Sequence, residues 1–252
     1  MIKALAKGME ILTILERKGS ATITELADEI GVDKSTVSRL VATLKKYDMV
    51  RCDPANKQYR LGFRILHLGD GVRRHIDVAS IARPYLYKIT EAIGESVHLA
   101  AANNGKSYVI DQVRSKREYD LPAQVGMIES WHSSSVGKCV LAYKPHAYIE
   151  RVLAEHGMKK YTEKTITGMA KLYAELDLIR KMGYAFDDEE CTLGVRCVAV
   201  PIFNYNGQVN HSIGVSGPKT QMTQSRIEAF LPKMMECGKQ ISEELGCNRF
   251  GK

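Results

Sequence analysis

No two of the six cysteines form a Cys-x-x-Cys pair; they are scattered at positions 52, 139, 191, 197, 237 and 247. That pattern excludes the usual structural zinc motifs and offers no disulfide framework, so free thiols in a reducing cytoplasm are expected. No apolar run approaches the ~20 residues of a membrane helix, which leaves no membrane partner. The first eight residues are basic but have neither an apolar core nor a cleavage site, so they do not read as a secretion signal. The seven histidines do not cluster. Even if His132 met His211, a third metal ligand would be missing, so no metal or cofactor is expected. A nucleophile elbow, Gly-x-Ser-x-Gly, is also missing. So is a complete phosphate loop: in His132-Ser-Ser-Ser-Val-Gly-Lys-Cys139, His132 stands where the first glycine belongs. Cys139 replaces the hydroxyl that would hold magnesium. Repeats and low-complexity segments are absent.

What is present suits a soluble protein of one or two domains: 252 residues, 44% hydrophobic and 26% charged. The net charge of +7 is unevenly placed. Residues 1–69 carry 12 Lys/Arg against 8 Asp/Glu, and residues 70–252 carry 24 against 21. The N-terminal quarter is the more basic per residue, which points to nucleic acid there.

The local patterns agree. Leu5, Met9, Leu12 and Leu15 recur at helical spacing up to Gly19. Thr22-Ile-Thr-Glu25 forms a capping box for a short helix burying Leu26, Ala27 and Ile30 and ending at Gly31. Asp33 is an N-cap for a further helix to about Lys46, with Val37, Leu40, Val41 and Leu44 as its apolar stripe. Two helices joined by a glycine turn are a helix-turn-helix. The second presents Lys34, Ser35, Thr36, Ser38, Arg39 and Thr43, hydroxyls and cations suited to phosphate oxygens and base edges. Two strand-like runs then flank Asp53-Pro-Ala-Asn56, a wing carrying Arg51, Lys57 and Arg60. A protein-docking module of the same shape is the alternative; cations on both the second helix and the wing favour DNA.

Residues 62–76 read as a linker helix interrupted by glycines, with a domain boundary near Ile76. Beyond it the pattern changes. A helical run from Asp77 to Gly94 contains Pro84, which starts a new segment or kinks the old one. Hairpins are expected over Val97–Val113 and Arg196–Ser216, and helices over Tyr148–His156, Met169–Met182 and Gln224–Leu245. Hairpin-paired strands with intervening helices indicate an α+β domain around an antiparallel sheet over residues 77–252.

The ordered set of motifs resembles the IclR family of bacterial transcriptional regulators nearly end to end. Its pieces are Asp33-Lys-Ser-Thr-Val-Ser-Arg-Leu40, Tyr59-Arg-Leu-Gly62, Gly94-Glu-Ser-Val97 and His132-Ser-Ser-Ser-Val-Gly-Lys138. Gly183-Tyr-Ala-Phe-Asp-Asp-Glu-Glu190, Gly194-Val-Arg-Cys-Val-Ala199 and Ser216-Gly-Pro218 complete it. The resemblance implies a winged helix-turn-helix over residues 1–61, a linker helix and a GAF-like effector domain. It also implies a homodimer or tetramer, a small organic-acid effector and a pseudo-palindromic operator in double-stranded DNA. It assigns Ser135, Val136 and Gly137 to a turn that presents backbone N–H groups to a carboxylate, with Asp187, Val195, Cys197, Gly214 and Ser216 lining the same site. Lys138 is expected to lay its stem on the domain surface. Members that bind short oxo-acids tend to carry a second serine where Gly214 stands, so a lost donor and an enlarged site are expected. Without the resemblance, residues 187–190 read as a solvated acidic turn and Cys197 as a core thiol.

The expected function is thus a cytoplasmic, ligand-responsive DNA-binding regulator, not an enzyme. Two rivals stand beside it. One is an enzyme using Cys197 or Ser134 as nucleophile with His132 or His211 as base. The other is a DNA-binding dimer that senses nothing.

Overall fold

A computed structural model describes residues 2–75, 77–116 and 123–249; Ile76, at the expected boundary, lies outside the described residues. The chain separates into two compact units, residues 1–76 and 77–252.

In the first unit, helix α1 (Lys3–Lys18) is followed by α2 (Ile23–Ile30) and α3 (Lys34–Lys46). The capping box forms: the Glu25 N–H donates to Thr22 Oγ1 at 3.3 Å, and the Thr22 N–H to Glu25 Oε2 at 2.7 Å. Ile11, Leu15, Leu26, Val37, Val41 and Val50 make the core. The apolar stripe of α1 is corrected. Leu5 and Met9 are exposed, while Ile11 and Ile14 are buried with Leu12 and Leu15. Apolar side chains surround this helix, and packing on the other two, which spacing does not encode, selects the buried face. Strands β1 (Val50–Cys52) and β2 (Tyr59–Leu61) pair antiparallel as the wing. Helix α4 (Phe63–His75) then runs without a break, so Gly69 and Gly71 do not interrupt it.

The second unit opens with α5 (Val78–Ile93), capped by Asp77 and continuous through Pro84. Strands β3 (Ser96–Asn103), β4 (Lys106–Val113) and β5 (Ile128–Glu129) follow, then helices α6 (Ser135–Leu141), α7 (His146–His156) and α8 (Met169–Met182). Strands β6 (Ala185–Asp188), β7 (Val195–Phe203) and β8 (Val209–Pro218) and helix α9 (Gln224–Glu244) complete it. The strands form one antiparallel sheet in the order β5-β4-β3-β8-β7-β6. The two hairpins are joined by β3 pairing with β8. Neighbouring residues of β7 face opposite sides: Ala199 joins the cluster that contains α6 and α8, while Val200 meets Gly238 of α9. Every residue of α6 is buried. Around it Trp131, Ile149, Val152, Leu172 and Leu176 are almost or wholly excluded from solvent, each of the four aliphatic side chains stabilising by roughly 1.5–3 kcal/mol. No helix among the described residues is long and apolar enough to cross a membrane.

Candidate DNA-binding face and effector cavity

The face of α3 is simpler than its sequence suggests. Lys34, Ser35, Ser38, Arg39 and Thr43 are exposed and Thr36 is half-buried. Three of the hydroxyls serve the helix itself. Ser35 and Thr36 donate to the Asp33 carboxylate at 2.5 and 2.7 Å, and Thr43 donates to the Arg39 carbonyl at 3.0 Å. These bonds hold the Asp33 carboxyl far below the usual carboxylate range, so it stays charged as the cap of α3. Lys34 and Arg39 form no ion pair among the described residues, which leaves them, with Ser38, as the free donors of this face.

The wing supplies a sharper signal. Arg51 and Arg60 are cross-strand partners and both are exposed. Like charges directly opposite each other destabilise a hairpin unless an anion sits between or over them. Arg51 also lies over the Phe63 ring at 4.9 Å, which aims its guanidinium. Lys57, at the tip, takes a left-handed backbone with φ 59°.

In the second unit a cavity of about 320 Å³ lies between the α6 turn and the sheet. Of the expected residues, Ser135, Val136, Asp187, Val195, Cys197 and Ser216 line it; Gly137 and Gly214 do not. The α6 turn is fixed by its own bonds. The Ser134 hydroxyl donates to the Ser130 carbonyl at 2.7 Å and accepts from the Gly137 N–H at 3.0 Å. Gly137 is glycine because a Cβ there would collide with that carbonyl. The Ser135 and Val136 N–H groups, as first-turn donors, have no protein acceptor among the described residues. Both residues line the cavity.

Register places Asp187 beside Cys197 and Cys197 beside Ser216, three neighbouring strands contributing one polar row. Asp187 is buried and accepts from the Glu190 N–H at 2.7 Å and the Cys191 N–H at 3.4 Å. Residues 187–190 are therefore no solvated turn: Asp187, Glu189 and Glu190 are all buried. Burial pushes the Asp187 carboxyl up, against the pull of those bonds and of Lys138. Glu129, also on the cavity wall, is pushed up by burial too, with the Asp187 charge adding to the shift.

Two expectations are corrected. Lys138 lies wholly inside the domain, not on its surface. Its Nζ donates to the Phe186 carbonyl at 2.6 Å, to Glu175 at 3.2 Å and, very closely, to Glu190. A buried ammonium needs such partners, and the acidic run supplies them. Gly214, in turn, does not enlarge the cavity. A Cβ there would lie 2.7 Å from both His98 Nε2 and Val136 Cγ1, so the space is already filled. Among the described residues, neither Cys197 nor Ser134 is hydrogen-bonded to a histidine. Cys197 lies in hydrogen-bonding reach of Asp187 and Ser216, and burial raises its thiol well above the ordinary value. His132 spends its nitrogens on Ser130 Oγ at 3.1 Å and the Lys159 carbonyl at 3.0 Å.

Comparison with known proteins decides the family. Residues 4–54 match the IclR helix-turn-helix domain, and residues 71–243 match the bacterial transcriptional regulator IclR C-terminal domain. The chain belongs to the IclR family of bacterial transcriptional regulators. It is 30% identical to the HTH-type transcriptional regulator BhcR of Paracoccus denitrificans, over 96% of this chain and 86% of that protein. It is 29% identical to the transcriptional repressor IclR of Escherichia coli, over 97% and 90%. The crystal structure of Thermotoga maritima IclR covers 98% of this chain at a TM-score of 0.65 and 30% identity, with all of that chain matched. As a member of the IclR family, the protein is a DNA-binding transcriptional regulator.

For an IclR-family cavity, several wall residues escaped the sequence analysis. His98, Glu129, Ser130, Tyr161 and Cys191 all line it. His98 directly follows the Gly94-Glu-Ser-Val97 motif, a signal that could have found it. Glu129 and Tyr161 lie outside any motif and reach the cavity only through the packing of β5 and the loop after α7.

Proposed function

We propose that the protein is a cytoplasmic regulator whose second unit binds a small organic acid and thereby alters DNA binding by the first. The observation that carries this reading is the pair of N–H groups at Ser135 and Val136, without a protein acceptor among the described residues, on residues that line one cavity with Ser216. A ligand carboxylate satisfies all three donors at once, and buried donors left unmade are costly. Asp187 accepts from a ligand hydroxyl or shares its proton. Residues 1–61 act as the DNA-binding domain, 62–76 as the linker and 77–252 as the sensing and self-associating domain. Two copies set two α3 helices in successive major grooves of a pseudo-palindromic operator. Arg51, Lys57 and Arg60 of each wing take the adjacent phosphates, which also relieves the Arg51–Arg60 repulsion. By linkage, the acid acts only if it binds the DNA-competent and DNA-free arrangements with different affinity.

The test is a library of small organic acids screened for any change in binding to the DNA flanking this chain's own gene. A hit whose effect disappears in Ser216→Ala supports the reading. A wild-type protein that binds that DNA and ignores every acid is a regulator without this sensor.

A further inference from the structure

The strand register places a residue beside the cavity that no motif assigns. Along β8, Gly214 precedes Ser216 by one rung on the same face, and across the β3–β8 pairing its partner is His98. The imidazole fills the space over Gly214 and lines the cavity. It is buried, and its Nδ1 has no hydrogen-bond partner. Buried ring nitrogens are ordinarily satisfied, so an orphan on a cavity wall points to a bond that a ligand makes. Burial pushes the imidazole down to about 4, so at neutral pH it offers one N–H and one lone pair and no charge.

The other wall groups restrict what this imidazole can meet. Glu129 on β5 and Asp187 on β6 share the cavity with it, alongside Ser130, Ser134, Tyr161 and the Cys191 and Cys197 thiols. No cation lines it. Two carboxyl groups accept from hydroxyls and repel a second negative charge on a ligand already anchored by one.

We propose that His98 contacts the effector in the place a side chain at position 214 would take, and that with Glu129 and Asp187 it restricts the cavity to singly charged acids bearing hydroxyl groups. This rests on the acid-sensing reading above, and the experiment separates the two. Full-length protein is titrated with glycerate and gluconate, with the unhydroxylated butyrate and hexanoate, and with the dianions malate and succinate. Binding is followed by calorimetry and by fluorescence of Trp131, the single tryptophan. Glycerate or gluconate binds at least several-fold more tightly than the other four. His98→Ala weakens that binding roughly tenfold, as expected for one lost hydrogen bond at the upper end of the range. His98→Phe, which fills the volume without the bond, gives the same loss, and His98→Gln, keeping a donor and an acceptor, recovers most of it. Gly214→Ala weakens it too, because the added methyl displaces the ring, and adds little on top of His98→Ala. Unchanged affinity in folded His98→Ala or His98→Phe overturns the role of His98. Preferred binding of butyrate or succinate, lost in Ser216→Ala, overturns the ligand class and leaves acid sensing standing. Failure of all six acids to bind overturns both.

Discussion

Replacing Lys138 by alanine removes the cation from a charged cluster buried in the second unit. In the intact protein its ammonium meets Glu190, Glu175 and the Phe186 carbonyl, and the side chain has no exposed surface. Burial pushes the Glu190 carboxyl up to about 7 even with Lys138 beside it, and the charges of Asp187 and Glu175 push the same way. Without the lysine, buried carboxylates are left facing one another. Breaking such a pair from one side destabilises by about 3–5 kcal/mol. In a domain of this size each kcal/mol shifts the melting temperature by about 2–4 °C, so a fall of roughly 6–20 °C is expected at pH 8. The sign of the pH dependence follows from the raised Glu190 value. Unfolded, the group titrates near 4.5; folded, near 7, and higher still without Lys138. Stability linked to this proton is present at low pH and is lost as pH rises through the folded value. The deficit of the variant is therefore smaller at pH 6 than at pH 8. Near-ultraviolet circular dichroism of the full chain measures it, with Lys138→Met as a companion that keeps the stem's volume. A melting temperature within 2 °C of the parent for both variants at pH 8 would refute the argument, because the carboxylates would then have found solvent or another cation.

Arg39→Ala should lower the salt slope of DNA binding by about 0.9 if the side chain contacts a phosphate, or cost about 1–3 kcal/mol at one base position if it reads a guanine. Affinity unchanged across several salt concentrations would rule out both. Ser216→Ala should weaken acid binding by roughly 1.5–3 kcal/mol if its bond to the carboxylate is charge-assisted, and leave ligand-free DNA binding intact; a gel shift with and without acid separates the effects. His98, pushed down from 6.5 to about 4, takes up a proton only on unfolding between those values. Stability should thus fall as pH drops below 6.5, by up to about 3 kcal/mol, and His98→Gln should flatten that limb in urea titrations. Residues 77–252, which hold the whole six-stranded sheet, should fold without the first unit, as sedimentation and circular dichroism of that fragment would show.

Much of this protein was legible in one dimension because its signals are local. Thr22 and Glu25 form a capping box from four consecutive residues, Asp33 caps the helix it precedes, and the hairpin turns announce strands on both sides. The α6 turn was named only through the resemblance to the family, although Ser134 and Gly137, which fix it, are neighbours in the chain. What the sequence left open depends on which side chains meet across it. The face of α1 that is buried, with Ile11 and Ile14 inside and Leu5 and Met9 outside, is chosen by α2 and α3 and not by spacing. Lys138 looked like a surface lysine until the fold brought Glu175 and Glu190, from two other elements, to its ammonium. Gly214 looked like an opening until β3 paired with β8 and set His98 over it. Burial, charge neutralisation and strand register are properties of contacts between distant residues, and only the tertiary structure could decide them.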